Sequence, residues 1–291
     1  LENKEIYPLL GSKEGIANLA LTLLDKNDEL LVPDPGYPGF SGPAIMLGAK
    51  PVFYDLKESD NFKINLQELE KKVSRKTKCL WVNFPSNPTG QAASIKELGA
   101  LVDFAKKYQI WLIYDNAYSE IYFGKVRPPS ILQVKNAWEI AVEIGSFSKT
   151  FSLAGYRMGW IAGNRNLIAA LAKIKSQMDS GLNIALQKLG SYALENFDSG
   201  WHKKMLVDYQ NRKKIIAEKL VSLGLKIFDS KAGLYLWTKI PDSYQNAEQF
   251  SEKILREKQV FLTPGTIFGK NGGRFIRASF CSNISNINSY L

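Results

Sequence analysis

The sequence predicts an α/β fold: a largely parallel sheet with helices on both faces, joined to a smaller α+β unit. Two observations predict it. Short β-rich runs alternate with longer helical patterns through the first two thirds of the chain, as βαβ units require. After about Asp179 that rhythm gives way to a long helical stretch followed by a mixed region. In order, the helical pattern of 14–24 has apolar residues at three- and four-residue spacing, and β-rich runs follow at 29–32 and 50–54. Helical spacing returns at 66–73 and 94–107, each followed by a strand candidate, at 79–84 and 111–115. Two further runs, 141–145 and 159–162, precede a helix at 166–177. A helical stretch then covers 184–223, interrupted near Ser199 and Gly200, and leads into 225–240, a helix at 247–258 and a run at 274–280. The expected division is a large α/β domain over 1–198 and a small α+β domain over 199–291. Both ends look cut, with nothing ahead of the first glycine turn to complete the small domain.

Composition narrows the class. Of 291 residues, 45% are hydrophobic and 23% charged, which is ordinary globular usage. No apolar run approaches the roughly 20 residues that span a bilayer, so no membrane association is expected and cytosol is the default compartment. Cys79 and Cys281 lie far apart without CxxC spacing, which argues against a disulfide framework or a zinc site. The balance of 38 basic against 28 acidic residues gives a net charge of +10, which raises the question of a polyanion partner. The basic residues cluster, however, as Lys71, Lys72, Arg75, Lys76 and Lys78 and as Lys203, Lys204, Arg212, Lys213 and Lys214, in stretches that read as amphipathic helix. Solvated helix faces account for both clusters, and without a nucleic-acid motif no nucleic-acid partner is expected.

Chemistry concentrates in four features expected at the C-terminal ends of predicted strands, where open α/β sheets collect ligands. FPSNPTG covers 84–90, YDNAY 114–118 and SFSK 146–149, and Arg157 stands eight residues beyond Lys149 in GYRMGW. A lone lysine is ordinarily a surface charge. Lys149, at a strand end beside Ser146, Ser148 and Thr150, reads instead as an amine held for Schiff-base chemistry, neutral at the moment of attack and later free to move a Cα proton. Asp115 could merely cap a helix. Facing a pyridine nitrogen, it would keep that nitrogen protonated. Tyr118 is suited to donate to a phenolate oxygen, and Asn87 to that oxygen or to a substrate carboxylate. Backbone amides near Ser12 and Lys13, at a glycine-flanked helix start, can receive a phosphate with Ser146, Ser148 and Arg157, although capping explains such a turn equally well. Tyr37, in PDPGYPGF, is either core or a ring stacked on the pyridine. Arg277, in RFIRASF, is either a surface ion-pair partner or a bidentate clamp on a carboxylate. A single histidine, His202, leaves little room for a Ser/His triad or a histidine-bearing metal centre.

Taken in this order along nearly the whole chain, GSKEG, PDPGYP, NPTG, YDNAY, SFSKTFSLAGYRMGW and the Arg277 segment resemble the class I/II aminotransferases of fold type I, the aspartate aminotransferase superfamily. Within it, GSKEG, PGYP, KIKSQMDSG and LTPGTIFGKNGGRFIRAS are similar to LL-diaminopimelate aminotransferases and their relatives. The resemblance implies a mostly parallel mixed sheet, pyridoxal phosphate as cofactor, and homodimers with the active site at the interface. It implies Lys149 as the Schiff-base lysine, Asp115 on the pyridine nitrogen, and Tyr118 and Asn87 on the ring oxygen. Tyr37 would stack, Ser12, Lys13, Ser146, Ser148 and Arg157 would hold phosphate, and Arg277 would hold the α-carboxylate. The family's N-terminal segment, which closes the site and lends a tyrosine to the neighbouring subunit, lies upstream of Leu1.

The expected reaction is ping-pong transfer of an amino group between an L-amino acid and a 2-oxo acid, with 2-oxoglutarate and glutamate as one pair. A C–S β-lyase, a decarboxylase and a non-catalytic regulatory domain that binds the same cofactor remain as alternatives. An NAD-binding dehydrogenase lacks its GxGxxG turn. The amino donor is not legible in these residues.

Overall fold

Strands whose side chains are buried on both faces belong inside a sheet covered by helices. Glu29–Asp34 (β2) and Ala141–Ser146 (β6), buried along their whole length, lie within such a sheet in the computed structural model, which describes residues 4–283. The other strands are Ile6–Leu9 (β1), Lys50–Asp55 (β3), Thr77–Asn83 (β4), Trp111–Asp115 (β5) and Gly159–Gly163 (β7), and the seven run in the order β1-β7-β6-β5-β4-β2-β3. β2 to β6 pair in parallel, and β7 runs antiparallel to both of its neighbours, so β1 points the same way as the rest. The largely parallel, mixed sheet expected from the sequence is therefore present.

The topology decides where the motifs fall. Parallel strands deliver their C-termini to one edge, and the register places Asn83 beside Asp115, with Asp115 beside Ile144, two residues before Ser146. The reversed β7 brings its N-terminus to that edge, pairing Gly159 with Ser146 on one side and Leu9 on the other. The turn at Gly11, the loop after Asn83, the Asp115 segment, Lys149 and Arg157 thus share one rim of the sheet.

β1 was not expected, because Pro8 interrupts its sequence. Proline lacks the N–H that an interior strand must donate, but it is tolerated on an edge. β1 occupies the edge of the sheet.

The helices follow the predicted spacing with small changes of boundary. Ser12–Leu23, Ile95–Tyr108, Arg165–Lys175 and Ala247–Lys258 form as expected, and Ser94 closes a reciprocal cap with Glu97 at the start of the second. The predicted 66–73 helix ends at Glu70, so the first basic cluster lies in a turn and the start of β4 and not on a helix face. Lys71, Arg75, Lys76 and Lys78 are nevertheless exposed. The 184–223 stretch divides into Ile184–Glu195 and Ser199–Ser222, with Asp198 accepting from the amides of Gly200 and Trp201 to start the second helix. Among the described residues no helix is long and apolar enough to cross a membrane.

A second sheet orders Thr263–Pro264 (β10), Phe275–Ser279 (β11), Tyr235–Lys239 (β9) and Lys226–Phe228 (β8). Its two faces alternate strictly, as period two demands. Leu236, Ile276 and Ala278 pack on the Ser199–Ser222 and Ala247–Lys258 helices, whereas Trp237 and Phe275 turn the other way and join the core beneath the large sheet. That parity also directs Tyr235 and Arg277 toward the large sheet.

One buried ion cluster braces the rim. Lys175, 1% exposed, donates to Glu14 at 3.0 Å and Asp179 at 2.6 Å, while Glu14 also accepts from the Leu10 amide and the Asn18 side chain. Burial pulls the Lys175 pKa down, but its two carboxylate partners outweigh burial and leave it above the ordinary lysine value. Removing the lysine leaves two partly exposed carboxylates without their shared cation, a loss that solvent screens in part. Lys175→Met is therefore expected to cost about 1 kcal/mol, read from denaturant midpoints, and an unchanged midpoint would show the cluster to be energetically idle.

Candidate active site

Asp115 ends β5 beneath the rim, 6% exposed, and its Oδ1 has no hydrogen-bond partner. A buried carboxylate oxygen without a donor is costly, so its surroundings imply a ligand that brings one. Burial raises the Asp115 pKa to about 7; the Ala117 amide works against that rise and the charge of Glu143 adds to it. Glu143 itself is buried on β6, where it accepts from Asn116 at 2.9 Å, Ser130 at 2.5 Å and the Ile131 amide at 2.9 Å.

Above Asp115 opens a cavity of about 270 Å³. All eleven residues singled out from the sequence line it: Ser12, Lys13, Tyr37, Asn87, Asp115, Tyr118, Ser146, Ser148, Lys149, Arg157 and Arg277. They arrive from seven separate segments of the chain. Lys149 sits on the four-residue helix Phe147–Thr150, whose start is fixed by Ser146 accepting from the Ser148 amide.

One end of the cavity is built for an anion. The helix Ser12–Leu23 begins at Gly11 with no side-chain cap, so its first amides stay available to a ligand. Gly11 has φ 80°, and a Cβ there would lie 2.4 Å from Nη2 of Arg157. The positive φ favours glycine, and a side chain there would push the guanidinium away from the turn. Arg157 is steadied by donating to the Ala154 carbonyl at 3.0 Å.

Asn87, Tyr118 and Arg277 form a second group in the lining. Asn83 holds this region together, accepting from the Asn87 amide at 2.8 Å and donating to the Asp115 carbonyl at 2.9 Å. Arg277 donates from Nη1 to Asn87 Oδ1 at 3.0 Å, and its Nε is buried without a partner. Tyr118 is buried, with its hydroxyl 3.3 Å from that of Tyr235, and burial first, then Tyr235, lifts its pKa well above the ordinary tyrosine value. Tyr37 is held edge-on to Phe40 at 5.5 Å, and its ring lies close against Gly39.

Sequence reasoning missed Tyr235, which lines the same cavity. Its sole available signal was its alternation with Trp237 in a predicted β region, and that signal does not distinguish a site residue from a core one. His202 lies outside the cavity lining and meets the Glu120 carbonyl at 2.7 Å. Cys79 is buried and Cys281 exposed, both as free thiols.

Comparison with known proteins agrees with this architecture. The family model described as aminotransferase class I and II matches residues 1–289. An LL-diaminopimelate aminotransferase of Aquifex aeolicus is 42% identical over 277 residues, 95% of this chain and 71% of that protein. The enzyme of the same name from Halothermothrix orenii is 38% identical over 94% of this chain and 70% of its own length. Among solved structures, apo-BacF from Bacillus subtilis superposes with a TM-score of 0.94 at 32% identity, covering 99% of this chain and 73% of that one.

Proposed function

The chain belongs to the class I and II aminotransferases, enzymes that use pyridoxal phosphate, and we propose that it transfers an amino group from LL-diaminopimelate or a similar L-amino acid to 2-oxoglutarate. The observation that carries the assignment of the site is the partnerless buried Oδ1 of Asp115 in the same cavity as the amine of Lys149. The cofactor fits these residues: its ring nitrogen supplies the donor that Asp115 lacks, and its phosphate matches the uncapped helix start beside Arg157.

When bound, the cofactor supplies an electron sink for the pair left on the substrate Cα. The protein's own groups do the rest. The amides of Ser12 and Lys13, the hydroxyls of Ser146 and Ser148 and the Arg157 guanidinium hold the phosphate. Asp115, ionised against a cationic ring, keeps the ring nitrogen protonated, and a cation there draws the carboxyl pKa back down. Tyr118 and Asn87 would donate to the ring oxygen, and Tyr37 would cover a ring face. Arg277 grips the substrate α-carboxylate and so fixes which Cα bond stands where it can break. Lys149 would be the residue that tethers the cofactor, and its amine, when free, would carry the Cα proton.

The same proposal places residues 1–198 in a large cofactor-binding unit and 199–291 in a smaller one that supplies Arg277. It also takes the protein to be a cytosolic homodimer with the site at the interface. Ile184, Tyr192, Leu194, Phe197 and Trp201 support the dimer, since they leave apolar surface exposed on two successive helices and the link between them.

Amino acid added alone to the cofactor-loaded protein is expected to yield one equivalent of 2-oxo acid and leave the amino group on the cofactor. Adding 2-oxoglutarate should then return the original spectrum and release glutamate. Pyruvate and ammonia as products would overturn the assignment in favour of elimination. A panel of amino donors, with LL-diaminopimelate among them, identifies the substrate.

A further inference from the structure

We propose that Tyr235 is a positioning residue that couples the two halves of the site, its ring holding the Arg277 guanidinium and its hydroxyl donating to the oxygen of Tyr118. The inference rests on the roles assigned above to Tyr118 and Arg277. It adds a residue to which neither the motifs nor those roles point.

The sheet places the pair. Arg277 on β11 is registered with Trp237 on β9, and Tyr235 with Ser279, so Tyr235 and Arg277 are diagonal neighbours on one face. The guanidinium carbon lies 4.1 Å from the centre of the Tyr235 ring and 4.7 Å from that of Phe268. A planar cation between two rings keeps its direction without spending its N–H donors. Nη1 is the donor engaged with Asn87, and Nε has no protein partner.

The hydroxyl has a separate task. Tyr118 and Tyr235 meet edge to face, ring centres 5.9 Å apart, with their oxygens at 3.3 Å. A hydroxyl carries one proton. If Tyr118 gives its proton to the ring oxygen of the cofactor, its own buried oxygen can only accept, and Tyr235 is positioned to be the donor. A hydroxyl that accepts such a bond becomes a better donor in turn, because each bond polarises the next. Tyr235 therefore favours the ionised ring oxygen through Tyr118, without touching the cofactor.

The two contacts separate by substitution. In the cofactor-loaded full chain, Tyr235→Phe keeps the ring and loses the hydroxyl, so the pH midpoint of the cofactor's visible absorbance should rise by about 0.5–1, with KM for the amino acid within about twofold of wild type. Tyr235→Leu loses both, so the same rise should come with a roughly tenfold higher KM. In a Tyr118→Phe background, Tyr235→Phe should produce no further change of midpoint, since the effect runs through Tyr118. A Tyr235→Phe midpoint equal to wild type, or a full shift persisting without the Tyr118 hydroxyl, overturns the coupling. An unchanged KM in Tyr235→Leu overturns the ring contact. Failure of the underlying reading would show differently: wild type would develop no visible absorbance with the cofactor, or Tyr118→Phe alone would leave the midpoint in place.

Discussion

Lys149→Ala is expected to lower turnover by about 10⁴-fold or more while leaving the protein folded. A positioned general acid–base alone contributes about 10²–10⁴-fold, and Lys149 is assigned both that proton transfer and the covalent tether. The residue lines a cavity, so its loss removes little packing, and stability should change by less than about 1 kcal/mol. Lys149→Arg is the informative companion. It keeps the charge, but a guanidinium stays protonated and can neither condense with an aldehyde nor accept a proton at neutral pH. Equal loss in both variants locates the effect in the amine's chemistry, whereas near-normal turnover in the arginine variant would reduce Lys149 to a charge. Treating the loaded wild-type protein with borohydride should fix the cofactor's mass on the peptide containing Lys149 and on no other; a label elsewhere would displace Lys149 from its role.

Much of this site was legible before any geometry because its residues stand at strand ends, and strand ends in a parallel sheet share an edge. Once 79–84, 111–115 and 141–145 read as strands, Asn87, Asp115 and Lys149 were committed to one rim whatever the details of packing. Arg157 was harder to place from pattern alone. It reaches the rim because β7 runs antiparallel and presents its N-terminus there, and nothing in the local periodicity of GWIAG states a strand's direction.

Two features were hidden for physical reasons. β1 carries a proline that its edge position excuses, and edge position is a property of the assembled sheet. Tyr235 acts through neighbours supplied by the turn after β5 and by β11, more than a hundred and about forty residues away in sequence respectively, so no local pattern marks it. The basic turn at 71–78 shows the opposite error. Its apolar spacing suited a helix, but the helix stops at Glu70, and the chain turns to enter β4.

Asp115→Asn should act in opposite directions on activity and on stability. The carboxylate is buried and its Oδ1 meets no donor, so without the cofactor its charge is a liability to the fold. Its folded pKa of about 7 lies above the value of about 4 expected in the unfolded chain. Between those two values the unfolded chain gives up its proton while the native state retains it, so the cofactor-free protein loses stability as pH rises from about 4 to about 7, and the loss is complete above that range. Asparagine has no proton to lose. The variant should therefore gain on the order of 2 kcal/mol over wild type at pH 8 and almost nothing at pH 4, read from denaturant midpoints of the cofactor-free protein. Turnover should fall by about 10²–10³-fold, because an amide cannot hold the ring nitrogen in its charged form when electrons arrive from the substrate. Stability that is equal in the two proteins at both pH values would mean that the fold already compensates the Asp115 charge, and full activity in the variant would remove it from the chemistry. The combination of higher stability and lower turnover is the mark of a charge kept for catalysis at the expense of the empty fold.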